Sequence, residues 1–384
     1  MRPWTWEQLA TATLARQFPR VRGRGESAVV ELIRRVGPIQ SQAARAPFLA
    51  IAARLPGASY QVVSAVHESL QVVRSTSLRG TVHTSTRDQH GALAAVAVRS
   101  LTPGLRRTLQ LDDEQLAGFR AELERLARAG WTPHNRLLEG VIGWMRREGL
   151  NDSEASLQRP GGLYSLRGHP DLLRRPVRTG AGWESQAEVA YWSARTAIAE
   201  PRLDPQQALV SLVRDHVRAS GPVTRRDLAW WSGAGLRQVD AAVATMSDEL
   251  ESRPGPGGLE FLDLASGGSP GASGETGLRL LPEYDALLLA YDPAGRDRFA
   301  DEAAVRHSWN RANGVHSPTV LVDGRLRGRW RLTRHADQAA VAVEMFPGER
   351  LLDPGDLTDA VAALQAVLEV EVTDVLVTRL GGRT

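Results

Sequence analysis

The chain of 384 residues has no cysteine, and no lysine occurs anywhere along it. The first absence removes disulfides, thiol catalysis, iron–sulfur clusters and zinc fingers. The second removes a Walker A phosphate loop, which needs its lysine, and Schiff-base catalysis through a lysine amine. All 47 strong cations are therefore arginine. A GC-rich coding bias explains most of this preference, but arginine's planar fork still grips two phosphate oxygens at once. The net charge of +3 is small, so a nucleic-acid surface would have to come from local clustering. No apolar run approaches the roughly 18 residues that span a bilayer. The opening Met1-Arg2-Pro3-Trp4-Thr5-Trp6 lacks the apolar stretch of a signal peptide. These features predict a soluble cytoplasmic protein. The nine histidines are scattered, with none paired at helical spacing beside a carboxylate, so neither a metal site nor a cofactor is expected.

What is present is an α+β pattern. Apolar residues make up 42% of the chain, as in folded proteins, and the length predicts two to four domains. Trp6, Leu9 and Leu14, then Val29, Ile33 and Val36, fit one-sided helices. Gly37-Pro38 stops the second, and helices are expected over residues 43–55 and 60–70. Residues 72–86 alternate like a strand pair. Helices followed by a β-ribbon is the order of a winged helix-turn-helix, and it recurs. Residues 113–129 and 136–147 read as helices, with residues 161–166 as their wing. Asp204-Pro205 opens a third set, in which Thr224 caps a short helix and residues 236–250 form the next. "Gly-Pro-Val-Thr" at 221 echoes "Gly-Pro-Ile-Gln" at 37. Residues 253–277, rich in Gly, Pro and Ser, read as a mobile wing because strand-like segments flank them, with a linker as the alternative. From residue 278 the chain turns β-rich, with a hairpin at Asp323-Gly324. The expected units are 1–95, 96–198, 199–277 and 278–384.

Three groups of residues stand out. In the hairpin arm 325–332, period-two alternation places Arg325, Arg327, Arg329 and Arg331 on one face and Leu326, Trp330 and Leu332 on the other. Same-face spacing of about 6.5–7 Å is close to that of phosphates along a strand. The plainer alternative is a solvated face in an arginine-rich protein. In the ribbon, Arg74 and Arg79 could reach a nucleic-acid backbone while Thr81 and His83 share a face; an ordinary polar wing is the alternative. Gln40 and Gln42 flank Ser41 just after the Gly-Pro corner. Amides cannot act as general bases, but they can fix a water by donating and accepting. Bonding to neighbouring backbone would explain them equally well.

The order of these segments resembles the AlkZ/YcaQ-type winged-helix DNA glycosylases. It runs from Gln-Ser-Gln through Arg-Ser-Thr-Ser-Leu-Arg-Gly-Thr-Val-His to Leu-Leu-Pro-Glu-Tyr-Asp and Thr-Val-Leu-Val-Asp-Gly-Arg, nearly the whole chain. The resemblance implies three tandem winged-helix domains and a C-terminal, barrel-like β-domain, curved around a DNA channel. It implies a monomeric enzyme on double-stranded DNA that excises bulky N7-alkylated purines and unhooks interstrand crosslinks, often as self-resistance to a genotoxic natural product. The family motif is Gln-x-Gln, which implies catalytic roles for Gln40 and Gln42. Ser41 is polar where the middle residue is usually apolar. Arg74, Arg79, Thr81, His83 and the arginine stripe become DNA-binding candidates. The absence of lysine argues against strand cleavage through a Schiff base, so the enzyme should be monofunctional. The competing readings are a non-catalytic winged-helix DNA-binding regulator or sequestering factor, and an assembly with a protein partner.

Overall fold

The computed structural model describes residues 2–159, 162, 164–178, 182–185, 188–199, 201, 203–265, 277–310 and 314–381. Local chemistry accounts for many helix boundaries. Thr5 and Gln8 form a capping box on the helix Trp6–Gln17, and Thr224 with Asp227 does the same for Arg225–Ser232. Asp204 accepts two backbone N–H groups at the start of Pro205–Ser220. Each satisfies donors that a helix N-terminus leaves open.

Three helices followed by a two-stranded ribbon occur three times. The helices Glu26–Val36, Ala46–Arg54 and Tyr60–Glu68 lead to the strands Val72–Thr76 and Val82–Thr86. Asp113–Leu126, His134–Arg147 and Asn151–Gln158 lead to Leu172–Pro176 and Val189–Ser193. Pro205–Ser220, Arg225–Ser232 and Leu236–Thr245 lead to Leu250–Pro254 and Glu260–Leu264. The second ribbon is not where the sequence placed it. Of the expected wing, Gly161 and Leu163 lie outside the described residues, and Tyr164–Arg167 is a short helix. In the third set the Pro-Gly run closes a hairpin through Gly255 and Leu259, while residues 266–276 lie outside the described residues. The sequence also gave no warning of Arg87–Leu109, a helix of 23 residues that contains Pro103 and Gly104.

The ribbons of the first two sets join one six-stranded sheet. Its order is Ile39–Gln40, Val82–Thr86, Val72–Thr76, Leu172–Pro176, Val189–Ser193, Thr132–Pro133. Its two halves meet through the pair Ser75 and Leu173. The C-terminal region is a five-stranded sheet in the order Glu371–Arg379, Gln338–Met345, Arg325–His335, Thr319–Val322, Leu278–Leu281. The first pair is parallel, linked by the helix Thr358–Leu368; the others are antiparallel. This corrects the expected barrel, because the sheet is open and its edge strands do not meet. The physical reason is cover. Leu280, Val320, Trp330 and Val341 share a core with Phe48, Leu49 and Ile51 of the first set and with Leu364 and Val367 of the crossover helix. An apolar face buried under helices gains nothing by closing on itself.

A second core joins Leu209, Leu212 and Trp231 to Leu281, Leu288, Leu321 and Phe346. The first set, the third set and the C-terminal sheet are thus packed together. The second set keeps its own core of Leu109, Phe119, Leu123, Leu137, Val141 and Tyr191. Among the described residues no helix is long and apolar enough to cross a membrane.

Candidate active site

The Gly37-Pro38 corner ends the helix Glu26–Val36 with Gly37 at φ +86°, a conformation that penalises any residue with a β-carbon. Ile39 and Gln40 then add a short edge strand to the ribbon, with Gln40 opposite His83. Ser41 is tied down completely. Its N–H donates to the Val82 carbonyl at 2.6 Å, and its hydroxyl shares a 2.7 Å hydrogen bond with Thr84. The polar middle residue of the Gln-Ser-Gln segment thus anchors the backbone between the two amides.

Gln40 is buried, and its Oε1 accepts from Arg79 Nη2 at 3.0 Å. Arg79 Nη1 donates to the Trp231 carbonyl of the third set. Arg79 stands in the turn Leu78–Gly80 at φ +56°, the left-handed region that few non-glycine residues occupy. Gly233, at φ +73°, sits against Arg79 in the left-handed conformation that favours glycine. With Oε1 committed to the guanidinium, the Gln40 amide has its N–H₂ left to donate. Gln40 lines a cleft of about 30 Å³ together with Arg54, His83, Trp231, Tyr284 and Asp285, room for a water or two.

The cleft is electrostatically fixed. Burial first, and then the Arg79 charge, hold His83 down to about 3, so its ring is neutral at physiological pH. Its Nδ1 lies 2.9 Å from Ser77 Oγ and 3.1 Å from the Thr81 carbonyl. Arg79 is itself lowered by burial, then by Arg296, to about 10, and remains cationic. Asp285 binds Arg54 through two 2.9 Å hydrogen bonds and also caps Ala286–Leu289 by accepting from the Leu287 N–H. Glu283 accepts from Arg45 at 2.6 Å. The two carboxylates of the Leu-Leu-Pro-Glu-Tyr-Asp segment thus hold arginines beside the glutamine segment.

Gln42 faces a different space. It is exposed, its Oε1 accepts from the Val82 N–H at 3.3 Å, and it lines a cavity of about 560 Å³. Arg74, Thr76, Leu105, Arg174 and Arg175 line the same cavity, which lies between the first and second sets. Segment 40–42 is therefore a wall with a water-sized cleft on one side and a large cavity on the other.

The ribbon residues expected to face outward turn inward. Arg74 is buried, donates to the carbonyls of Trp183 (3.0 Å) and Ala44 (3.1 Å) and lies over the Trp183 ring. Burial, then Arg174, lower it to about 9. His83 is buried, and Thr81 donates its hydroxyl to the Leu78 carbonyl. The arginine stripe alternates as expected, with Leu326 and Trp330 buried behind it, but its members are paired. Arg327 bonds Glu349 at 2.8 Å and Arg329 bonds Glu344 at 2.7 Å. Arg325 donates to the Asp297 carbonyl at 3.2 Å. Arg331 is the loosest, 3.8 Å from Glu344 and 65% exposed.

Among the described residues, one cluster has metal-ligand chemistry: Glu124, His169 and Asp171. Arg195 already sits 3.0 Å from Asp171 and 3.5 Å from Glu124, which makes the cluster an ion-pair network.

Comparison with known proteins agrees with this layout. A family model described as DNA glycosylase AlkZ-like matches residues 33–376. The chain is 22% identical over 365 residues to a curated protein of Streptomyces sahachiroi named interstrand DNA cross-link repair glycosylase, covering 90% of this chain and 92% of that one. The solved structure of the DNA glycosylase AlkZ from Streptomyces sahachiroi superposes with a TM-score of 0.78 at 19% identity, covering 97% of this chain and 99% of that one.

Proposed function

Because the chain belongs to the AlkZ-like DNA glycosylase family, we propose that it hydrolyses the N-glycosidic bond of bulky N7-alkylguanine in double-stranded DNA. Interstrand crosslinks are included, the activity for which its curated relative is named. The observation that carries the reading is Gln40, whose amide is oriented by Arg79 over a cleft of water size. An N7-alkylated purine carries a positive charge and departs with the electrons of the C1′–N9 bond, without acid assistance. The protein's task is then to place a water and to tolerate positive charge developing on the sugar. In this reading Gln40 holds that water from the cleft side, and Gln42, across the segment on the cavity side, orients the sugar that the water attacks. The water's proton passes to solvent or to a neighbouring DNA phosphate. His83, neutral and opposite Gln40, lines the cleft without adding a charge that would oppose the sugar cation. With no lysine to form a Schiff base, the product is an abasic site in an uncut strand.

We further propose that the three helix-and-ribbon sets act as winged-helix units around a DNA channel, with boundaries near residues 95, 198 and 277. The enzyme would act as a monomer in the cytoplasm and protect its producer from an alkylating natural product. In the stripe, Arg331 is the residue readiest to take up a phosphate, with Arg325, Arg327 and Arg329 exchanging carboxylate or carbonyl partners for DNA. Arg79 and Arg74 contribute by fixing the site from within, and Thr81 by holding the turn.

The test is release of alkylated base from a defined N7-guanine adduct. Gln40→Ala combined with Gln42→Ala should reduce release by at least about 10²-fold, the usual scale for a lost positioning group, with unchanged circular dichroism. Full activity in that double variant would overturn the assignment.

A further inference from the structure

The mechanism above uses the cleft beside Gln40 and leaves the 560 Å³ cavity beside Gln42 without a task. That volume is drug-sized rather than water-sized. Its wall mixes apolar surface from Val82 and Leu105 with the hydroxyl of Thr76 and the guanidinium groups of Arg74 and Arg174. Arg74 is more than nine-tenths buried, and its Nε has no hydrogen-bond partner among the described residues.

A second observation is independent of the volume. The long helix Arg87–Leu109 carries Gly104 in its last turns, on the cavity wall. Glycine weakens a helix interior relative to alanine, and it is usually explained there by a close neighbour. Here a β-carbon on Gly104 would meet nothing within 4 Å. Gly104 is half-buried, and the missing side chain leaves the cavity wall open at that point.

We propose, on the basis of the glycosylase reading above, that this cavity seats the bulky substituent on N7 of the damaged guanine. Its occupant is a polycyclic group with hydrocarbon faces and oxygen acceptors, so the cavity determines lesion size. The hydrocarbon faces lie on Val82 and Leu105. The oxygens accept from Arg174 and from the hydroxyls of Thr76 and Thr108. The base itself stays at the rim by Gln42, where the glycosidic bond is presented to segment 40–42. Removal of a small N7 adduct makes no use of the cavity.

The variant that tests this is Gly104→Trp, which fills the cavity from a helical position, with Gly104→Ala as its control. Two duplexes serve as probes. One carries a single N7-methylguanine, and the other a single guanine alkylated at N7 by a polycyclic epoxide. Single-turnover release and duplex affinity are measured for both. Gly104→Trp should slow release of the polycyclic adduct and weaken its binding by at least about tenfold, the scale of a pocket that no longer fits its occupant. It should leave the methylated duplex within about twofold on the same scale, and Gly104→Ala should match the parent on both. Equal loss on the two duplexes would show that DNA itself fills the cavity and would overturn the proposal, as would no loss on either. If the parent releases neither base, the glycosylase reading fails. The affinities then decide the cavity alone: it is refuted unless the polycyclic duplex binds more tightly than the methylated one and Gly104→Trp abolishes the difference.

Discussion

The first, third and C-terminal regions behave as one body, whereas the second set stands apart. In the fused body, Phe48 and Leu364 share a core across most of the chain, and Trp231 shares another with Leu321. In the second set, Phe119, Leu123, Leu137 and Tyr191 pack chiefly with one another. The two are joined by the strand pair Ser75 with Leu173, by the helix Arg87–Leu109, by a small cluster of Val73 with Leu173, Ala194 and Ile198, and by Trp183, which reaches into the first core. The difference teaches where precision was placed. Gln40, Arg79, Trp231 and Asp285 come from distant segments of the fused body and define a space of water size. The seam with the second set is looser and encloses the large cavity.

The strongest way to break this contrast is to strike a contact that crosses the fused body. Asp285→Ala should cost about 3–5 kcal/mol, because it leaves Arg54 buried without its partner and removes the cap of the following helix. Thermal or denaturant unfolding would show one cooperative loss across that body. Leu123→Ala, in the second set, should cost about 3 kcal/mol. Hydrogen exchange should show loosening confined to residues 105–191, and equal loosening around Gln40 would dissolve the distinction.

Acid sharpens the comparison. Burial holds His216 in the fused body to about 3 and His169 in the second set to about 4. The unfolded chain, with histidine near 6.5, binds protons that the folded chain refuses. Stability is therefore complete above pH 6.5 and falls as pH drops toward those lowered values. The loss is about 1.4 kcal/mol per pH unit for each histidine kept neutral. Melting temperatures between pH 7 and pH 5 give the sum, and His169→Asn should flatten the curve only for signals from the second set. The smallest effect is on the surface. Arg331→Gln should change stability by less than about 1 kcal/mol and lower the slope of DNA affinity against salt by about one ion.

Sequence reading went furthest where structure is local. Thr224 with Asp227, the left-handed turn at Asp323-Gly324 and the alternation of the arginine arm all follow from neighbours a few residues away. It failed where pairing is distant or a rule is broken. Proline and glycine ordinarily interrupt a helix, yet Arg87–Leu109 runs through Pro103 and Gly104, with Leu93, Ala97, Leu105 and Leu109 buried along it. Arg79 could be seen as a cation, but not as a left-handed residue turned onto Gln40. The pairing of Arg329 with Glu344 was within reach. The two face each other across the hairpin that turns at Ala336-Asp337, so antiparallel counting from that turn, rather than from Asp323-Gly324, pairs them.

The crossover helix Thr358–Leu368 has a consequence for how the protein is made. It packs on Ala46–Arg54, the helix that follows the glutamines. During synthesis the N-terminal partner waits roughly 300 residues for its cover, a separation that slows folding and leaves apolar surface exposed meanwhile. The setting of the Gln-Ser-Gln segment is consequently among the last parts to mature. A nascent chain would acquire its chemistry only once the final sheet has docked.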